Sequence, residues 1–412
     1  MRVVINELVA LGRKTGIGHY TGQLLRCLRL RAAGDEIDSF PTGLIRRTYE
    51  AVNCIRPAWH KRKGSQGGPP NPTASRSSWR LRTLESLRQS SRAVLGGYFR
   101  TVCARRSYDL YHEPNVIPFP VDRPTVATVH DLSVLLYPEW HPADRVAYYE
   151  HHFRRSLGNC VHFLTGSEFS RREVIRLLNI PPEQVTRTYY GIRPGLGPVA
   201  TERVQAALKS LGLPPRYLLF LGTIEPRKNI LMLLQAYCAL PTSVRGRWPL
   251  LLVGDWGWNT GAIHDYLHRE ARHRGVIYLG YLNEKHLGAL YSGARALVYP
   301  SWYEGFGLPP LEMMACGGAV LASTASAIVE TVGQRAHLIV PGDLDAWRDA
   351  MARVVEDDDW WRTLRQGTEA VARPFTWERC AADTLAVYRF VGGQSNAAPP
   401  SGSGVPCDRM AA

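Results

Sequence analysis

The chain has 412 residues, 45% hydrophobic and 21% charged, which excludes a fibrous or wholly disordered protein and exceeds what one core sustains, so two domains of similar size are expected. The formal charge of +14 is uneven: residues 46–106 hold fourteen Lys and Arg against two acids, Glu50 and Glu85, a net +12. Such a segment points to an anionic surface, nucleic acid or lipid; the bland alternative is a solvated charged face.

Eight cysteines (27, 54, 103, 160, 238, 316, 380 and 407) are scattered without C-x-x-C or metal-ligand spacing. That pattern argues against a disulfide framework and fits reduced thiols in a cytoplasmic protein. "MRVVINELVALGRKTG" lacks the apolar block of a signal peptide. No apolar run approaches the roughly 18–20 residues of a spanning helix. A soluble protein, or one resting on a membrane surface, is expected.

Taken in order, strand-like runs alternate with helical ones. "RVVINEL" leads through "TGIGHY" into a helical pattern, with Gly16 and Gly18 expected just before the helix. Glycines there let backbone N–H groups approach an anion, although Gly also merely turns chains. Residues 61–78 are rich in Gly, Pro and Ser and are expected to be disordered. In the next stretch Leu84, Leu87, Val94, Tyr98 and Val102 can share one helical face, with Arg80, Arg88, Arg92 and Arg100 mostly off it. An interfacial helix lying on a membrane and a helix packed on a sheet both fit. The strands "YDLYHEP", "TVATVHDL" and "VHFLTGS" follow, and Ser167 is the expected N-cap of the helix "EFSRREVIRLL".

After a Gly/Pro linker near 191–200 the alternation restarts with "YLLFLGT", "PLLLVGD", "VIYLG" and "ARALVYPS". Short continuous apolar runs are what buried parallel strands look like. The expected fold class is therefore α/β, with two Rossmann-like, doubly wound domains facing one another across a cleft.

Two strand–loop–helix junctions of the second half carry chemistry. "LGTIEPRKNI" sets Arg227 and Lys228 at the carboxyl end of a strand, where open α/β sheets bind ligands, and adjacent cations suit a diphosphate. "PSWYEGFGLPPLE" puts Glu304 at the mouth of a helix and Glu312 in its expected first turn, with Pro309 and Pro310 suiting the helix start. Backbone N–H groups of Gly305, Phe306, Gly307 and Leu308 can then face an anion. Carboxylates would repel phosphate, so they are expected to accept hydrogen bonds from sugar hydroxyls. A glycoside hydrolase would use the same pair as acid and nucleophile about 5–5.5 Å apart, which eight residues beside two cations fit poorly. The bland alternative for Glu312 is a helix-dipole contact. Asp357 and Asp359 in "EDDDWW" mimic a metal-binding D-x-D but read as helix caps and surface.

"GTIEPRKN", "EGFGLPPLE" with "MACGGAVLAS", "GIGHYT", "VHDLSVLLYPEW", "SEFSR" and "FTWERC" together resemble the retaining GT-B glycosyltransferases of family GT4. The similarity is greatest to bacterial polysaccharide mannosyltransferases and runs from residue 1 to about 390. The resemblance implies a first domain over 1–196 for the acceptor and a second over 197–374 for a nucleotide-sugar. Residues 375–392 would pack back on the first, and 393–412 would form a disordered tail. It implies Glu304 on donor-sugar hydroxyls, Glu312 on the ribose, and Arg227 and Lys228 on the diphosphate, with the 305–308 amides. Gly16 and Gly18 would close over the phosphates, and His130 would lie near the transferred sugar, with His112 a weaker candidate. No cofactor and no metal are implied, since the nucleotide-sugar is a co-substrate. Thr223 stands where some relatives have Arg, and Val329 where relatives often have Pro, which is expected to alter a local turn.

The implied reaction moves a hexose, mannose from GDP-mannose, to a polyprenyl-diphosphate-linked or other glycan acceptor. The basic 46–106 segment would dock on anionic lipid at the inner face of the plasma membrane, with no nucleic-acid partner. UDP-sugar-dependent transfer and nucleotide-sugar 2-epimerisation are the alternatives. The base-reading segment is expected around 282–284.

Overall fold

The computed structural model describes residues 1–11, 16–43, 46 and 78–393, and for 78–91 the backbone alone. Apart from Ser78 and Gly393, the two segments expected to be disordered lie outside the described residues. Two compact units are formed. Met1–Pro138, Ala143–Gly191 and the segment returning from Trp377 make the first; Glu139–Pro142 and Ile192–Thr376 belong to the second. The division therefore falls at 191/192 rather than 196/197 and at 376/377 rather than 374/375. Residues 139–142, expected in the first domain, group with the second. Both crossings are fastened within the second unit, where the Ile192 amide donates to the Phe375 carbonyl at 3.1 Å.

In the first unit β1 (Arg2–Asn6), β2 (Glu36–Phe40), β3 (Leu110–Glu113), β4 (Thr125–Val129), β5 (Cys160–Thr165) and β6 (Val185–Arg187) form one sheet. Its order is β2-β1-β3-β4-β5-β6, and every pairing is parallel. β3 and β4 are buried at every residue, and their polar members His112, Glu113, Thr125 and Thr128 are buried with the rest. Helices α1 (Gly16–Arg31), α2 (Ser78–Arg106), α3 (Ala143–Leu157) and α4 (Glu168–Leu178) connect the strands. Ser167 caps α4 as expected, accepting from the Ser170 amide at 3.0 Å.

Of the described members of the expected stripe, Tyr98 and Val102 pack against the core, while Val94 is 72% exposed. Phe99 and Cys103, which the stripe did not include, are buried there with Phe40, Tyr111 and Phe119. Arg92, expected off the stripe, turns inward, donating to the carbonyls of Ile117 and Pro118 and lying over the Phe119 ring. This part of the helix packs on the sheet; the side chains of Leu84 and Leu87 lie outside the described residues.

The C-terminal helix (Trp377–Val391) lies against α1 and β5 and closes the first core. Tyr388 Oη lies 2.5 Å from His112 Nδ1, and His112 Nε2 meets Thr128 Oγ1 at 2.8 Å. His112 is thus a bonded core residue.

The second unit repeats the plan with β7 (Leu218–Leu221), β8 (Leu250–Val253), β9 (Val276–Gly280), β10 (Ala296–Tyr299), β11 (Ala319–Ser323) and β12 (His337–Ile339). Their order is β12-β11-β10-β7-β8-β9, all parallel. Helices α5 (Thr201–Leu211), α6 (Ile230–Cys238), α7 (Leu287–Gly293), α8 (Leu308–Ala315), α9 (Leu344–Glu356) and α10 (Asp358–Arg365) lie between or beyond the strands. The strand order reverses between β7 and β10, the position at which doubly wound sheets hold ligands. Among the described residues no helix is long and apolar enough to cross a membrane.

Burial holds two first-unit histidines neutral, His112 down to about 3 (with a further push from His130) and His162 down to about 4. Unfolded, each titrates near 6.5. Between those values the unfolded chain binds protons that the native unit does not, so stability is full above pH 6.5 and falls below it. The expected slope is about 1.4 kcal/mol per pH unit for each histidine. Urea denaturation between pH 5 and 7.5 checks this; His112→Gln should flatten the slope.

Candidate active site

The loops after β7 and β10 form the candidate site, and charge holds them together. Lys228, 9% exposed at the side chain, donates to Glu304 Oε1 and, over 2.9 Å, to Tyr299 Oη at the end of β10. Arg227 Nη1 donates to Glu304 Oε2 at 3.1 Å and to the Tyr303 carbonyl at 3.2 Å. Its Nε and Nη2 reach Glu225 Oε1 at 3.1 and 2.7 Å. Two cations and two carboxylates thus make a cluster whose formal charges cancel.

Each half depends on the other. Burial works to raise the Glu304 carboxyl, but the charges of Lys228 and Arg227 outweigh it and hold it below the usual value. Burial also pulls the Lys228 ammonium down, against the attraction of Glu304. A general acid needs a raised carboxyl; Glu304 moves the other way, and it shares no hydrogen-bond partner with Glu312. Glu304 is therefore not poised as the acid of a hydrolase pair.

Backbone contacts fix the loops further. The Trp302 amide donates to the Arg227 carbonyl at 2.9 Å. Asn229, in the left-handed conformation (φ 58°), donates from Nδ2 to the carbonyls of Pro300 at 3.2 Å and Pro341 at 2.7 Å. The Glu304 amide donates to Ser326 Oγ at 2.7 Å. Ser326 itself has φ 56°, ψ −141°, a region costly for a residue with a Cβ and typical of functional sites. Val329 lies within a short helix (Ala327–Val332) rather than at a turn, so the substituted position continues regular structure.

Gly307 takes φ 90° as N-cap of α8, which a side chain would resist. Pro309 and Pro310 follow Leu308 within the first turn and bring no N–H, so amide donors at this end come from Leu308 and the residues before it. Phe306 is a core residue, 5.8 Å from Phe375 ring to ring, and its carbonyl accepts from Thr331. Glu312 was expected in the first turn; as the fifth residue of α8 it occupies the second. It is fully buried, accepting from Arg193 Nη1 at 2.7 Å (Oε1) and 2.5 Å (Oε2) and from Tyr291 Oη at 2.8 Å (Oε2). A macrodipole contact is confined to the first turn, so these partners replace that explanation.

The structure therefore gathers Arg227, Lys228 and Glu304 with the backbone of 305–308, and sets Glu312 nearby in α8 with its own partners. Gly16, Gly18 and His130 belong to the first unit. Gly16 and Gly18 lie inside α1, not before it; a Cβ on Gly18 would sit 2.5 Å from the Val9 carbonyl oxygen, so close packing explains that glycine. His130 is held neutral by burial, with Nδ1 2.7 Å from Tyr190 Oη and Nε2 2.8 Å from the Pro114 carbonyl. Asp357 caps α10, accepting from the Trp360 amide at 2.8 Å, and Asp359 pairs with Arg362 on the surface.

Glu225, Tyr299, Ser326, Arg193 and Tyr291 were not singled out from sequence. Glu225 stood within a quoted motif, and Tyr299 ended an apolar run with a polar tip; Arg193, alone in a Gly/Pro linker, gave no local signal.

Residues 206–370 match the family model described as glycosyl transferases group 1. The chain is 38% identical over 296 residues to O-antigen chain mannosyltransferase B of Escherichia coli, covering 71% of this chain and 77% of that one. It is 30% identical over 267 residues to the serotype-specific mannosyltransferase WbdA of Escherichia coli, 62% of this chain but 32% of WbdA. Sucrose-phosphate synthase from Thermosynechococcus elongatus matches with a TM-score of 0.69 at 21% identity, over 96% of this chain and all of that one. Two Rossmann-like units, each on a parallel six-stranded sheet, make this a GT-B fold. The chain belongs to the group 1 glycosyltransferases.

Removing Glu304 would strand two cations, one of them deeply buried. Glu304→Ala is expected to cost the second unit about 3–5 kcal/mol, read as a lower urea midpoint at pH 7; a loss below about 1 kcal/mol would show the cluster to be energetically slack.

Proposed function

We propose that this enzyme transfers a mannosyl group from GDP-mannose to a lipid-linked or polysaccharide acceptor in cell-surface glycan synthesis, with retention at the anomeric carbon. The observation carrying the proposal is the Glu304 carboxylate clamped between Lys228 and Arg227 beside the α8 start. The names of the two Escherichia coli relatives support mannose. Each Glu304 oxygen has one cationic donor and keeps acceptor capacity for sugar hydroxyls. Arg227 and Lys228, oriented in advance by Glu225 and Glu304, stabilise charge on the departing diphosphate, as do the amides of 305–308. The bond from the anomeric carbon to the β-phosphate oxygen breaks and the bond to the acceptor oxygen forms. GDP leaves, and the acceptor proton passes to the departing phosphate oxygen. Glu312 takes the ribose diol.

Roles for Gly16, Gly18 and His130 toward the donor are carried by the family resemblance alone. The chemistry as proposed uses no metal and no cofactor, and transfer should survive EDTA. The basic 46–106 segment docks the enzyme on anionic lipid at the cytoplasmic face of the membrane. Exposed Arg100 and Arg105 on α2 contribute, and of the other twelve Lys and Arg of the segment six lie outside the described residues.

A panel of GDP- and UDP-sugars screened for binding and slow hydrolysis tests the donor. GDP-mannose should bind best, and Lys228→Ala should cut transfer by about 10²–10³. Binding of UDP-sugars alone would replace the GDP assignment; binding of none would end the transferase proposal. Salt-sensitive binding to anionic liposomes, without binding to duplex DNA, is expected of the basic segment.

A further inference from the structure

Glu312 is buried far more completely than a residue awaiting a ligand needs to be, and what surrounds it is specific. Arg193 places one nitrogen, Nη1, against both carboxylate oxygens, and Tyr291 on α7 donates to Oε2 alone. One bridging nitrogen plus a second donor on one side fixes the carboxylate plane. An ionised carboxylate has about four acceptor sites; three donated bonds leave the spare capacity chiefly on Oε1, which has one partner against two for Oε2. Arg193 is not buried with it: its side chain is 22% exposed, and Nε lies 3.9 Å from Oε1 of Glu284 in the turn after β9, itself 44% exposed. The guanidinium thus spans from a buried carboxylate to an outer one.

We propose that Arg193, assisted by Tyr291, is a positioning residue that aims Glu312 at the ribose diol, and so sets the preference for ribonucleotide over 2′-deoxyribonucleotide donors. This assignment rests on the donor reading above and adds a residue to it. The competing explanation is a structural ion pair that compensates a buried charge. The two differ in what they control: compensation governs stability, aiming governs discrimination at the 2′-hydroxyl.

The test is calorimetric binding of GDP-mannose and its 2′-deoxy analogue to wild type, Arg193→Gln, Arg193→Lys and Tyr291→Phe, with thermal midpoints for each. Wild type should favour the ribonucleotide about 10- to 100-fold, the value of a hydrogen bond to a charged group. Arg193→Gln should bring that ratio to within about threefold of unity. Arg193→Lys, whose ammonium can repeat the single-nitrogen contact, should restore most of it, and Tyr291→Phe should lower it partly. If Arg193→Gln does not fold, Arg193→Lys and Tyr291→Phe carry the test, and an unchanged ratio in Tyr291→Phe counts against the proposal. A wild-type ratio in Arg193→Gln, whatever its thermal midpoint, overturns the proposal. Wild type that binds both donors equally overturns it too while leaving the donor reading intact; wild type that binds neither overturns both.

Discussion

A buried lysine and a buried glutamate, each costly alone, set the conditions for everything around them. Lys228 comes from the loop after β7 and Glu304 from the loop after β10, 76 residues apart in sequence. Neither charge is tolerable in the interior without the other, so neither loop can take its conformation independently. The Trp302 amide, Asn229 and Ser326 then hold the same two loops by backbone contacts. Preorganised charge of this kind serves catalysis because it need not be rearranged when the substrate's charge develops. The cluster is already neutral by itself, so in the proposed reaction the diphosphate would compete with Glu225 and Glu304 for two cations that they have oriented.

The fold decides where such a cluster can be built. Reversal of strand order between β7 and β10 leaves the loops of these two strands without a helix crossing between them, and α8 begins at the end of one of them. The proline pair in α8 removes two of the N–H groups a helix start normally offers, so donors are confined to Leu308 and the preceding loop. Glu312, one turn further in, is beyond useful reach of the helix dipole and is held by Arg193 and Tyr291. Its place in the proposed chemistry therefore depends on side chains outside its own motif.

The α/β alternation was legible because strands buried on both faces cannot alternate, and runs such as "PLLLVGD" and "ARALVYPS" stood out from helical neighbours. Arg227, Lys228 and Glu304 were legible because each lies beside a strand end within one short motif. Arg193 with Glu312 (119 residues apart), Tyr291 with Glu312 and Lys228 with Tyr299 (71 residues apart) were not, since nothing local marks either partner of a long-range pair. On α2 the pattern held for Tyr98 and Val102 and misled at Val94 for another reason. Val94 and Phe99 lie on different faces of an evenly mixed helix, and only the cluster formed by Phe40 and Phe119 decides which face is inward. Gly18 has a packing reason of its own, the close approach to the Val9 carbonyl, that its motif did not reveal.

The C-terminal helix has a consequence for how the chain is made. Ile192–Thr376 is delivered by the ribosome as one continuous stretch, carrying all six strands of the second sheet. The first sheet is synthesised earlier but waits longer, because Trp377, Cys380, Leu385 and Tyr388 arrive last and seal its core. Until they emerge, β3 presents His112 without the Tyr388 phenol that its Nδ1 bonds. The half of the protein translated first is thus the half finished last, and a nascent chain stopped short of residue 377 would leave an open hydrophobic face on the older domain.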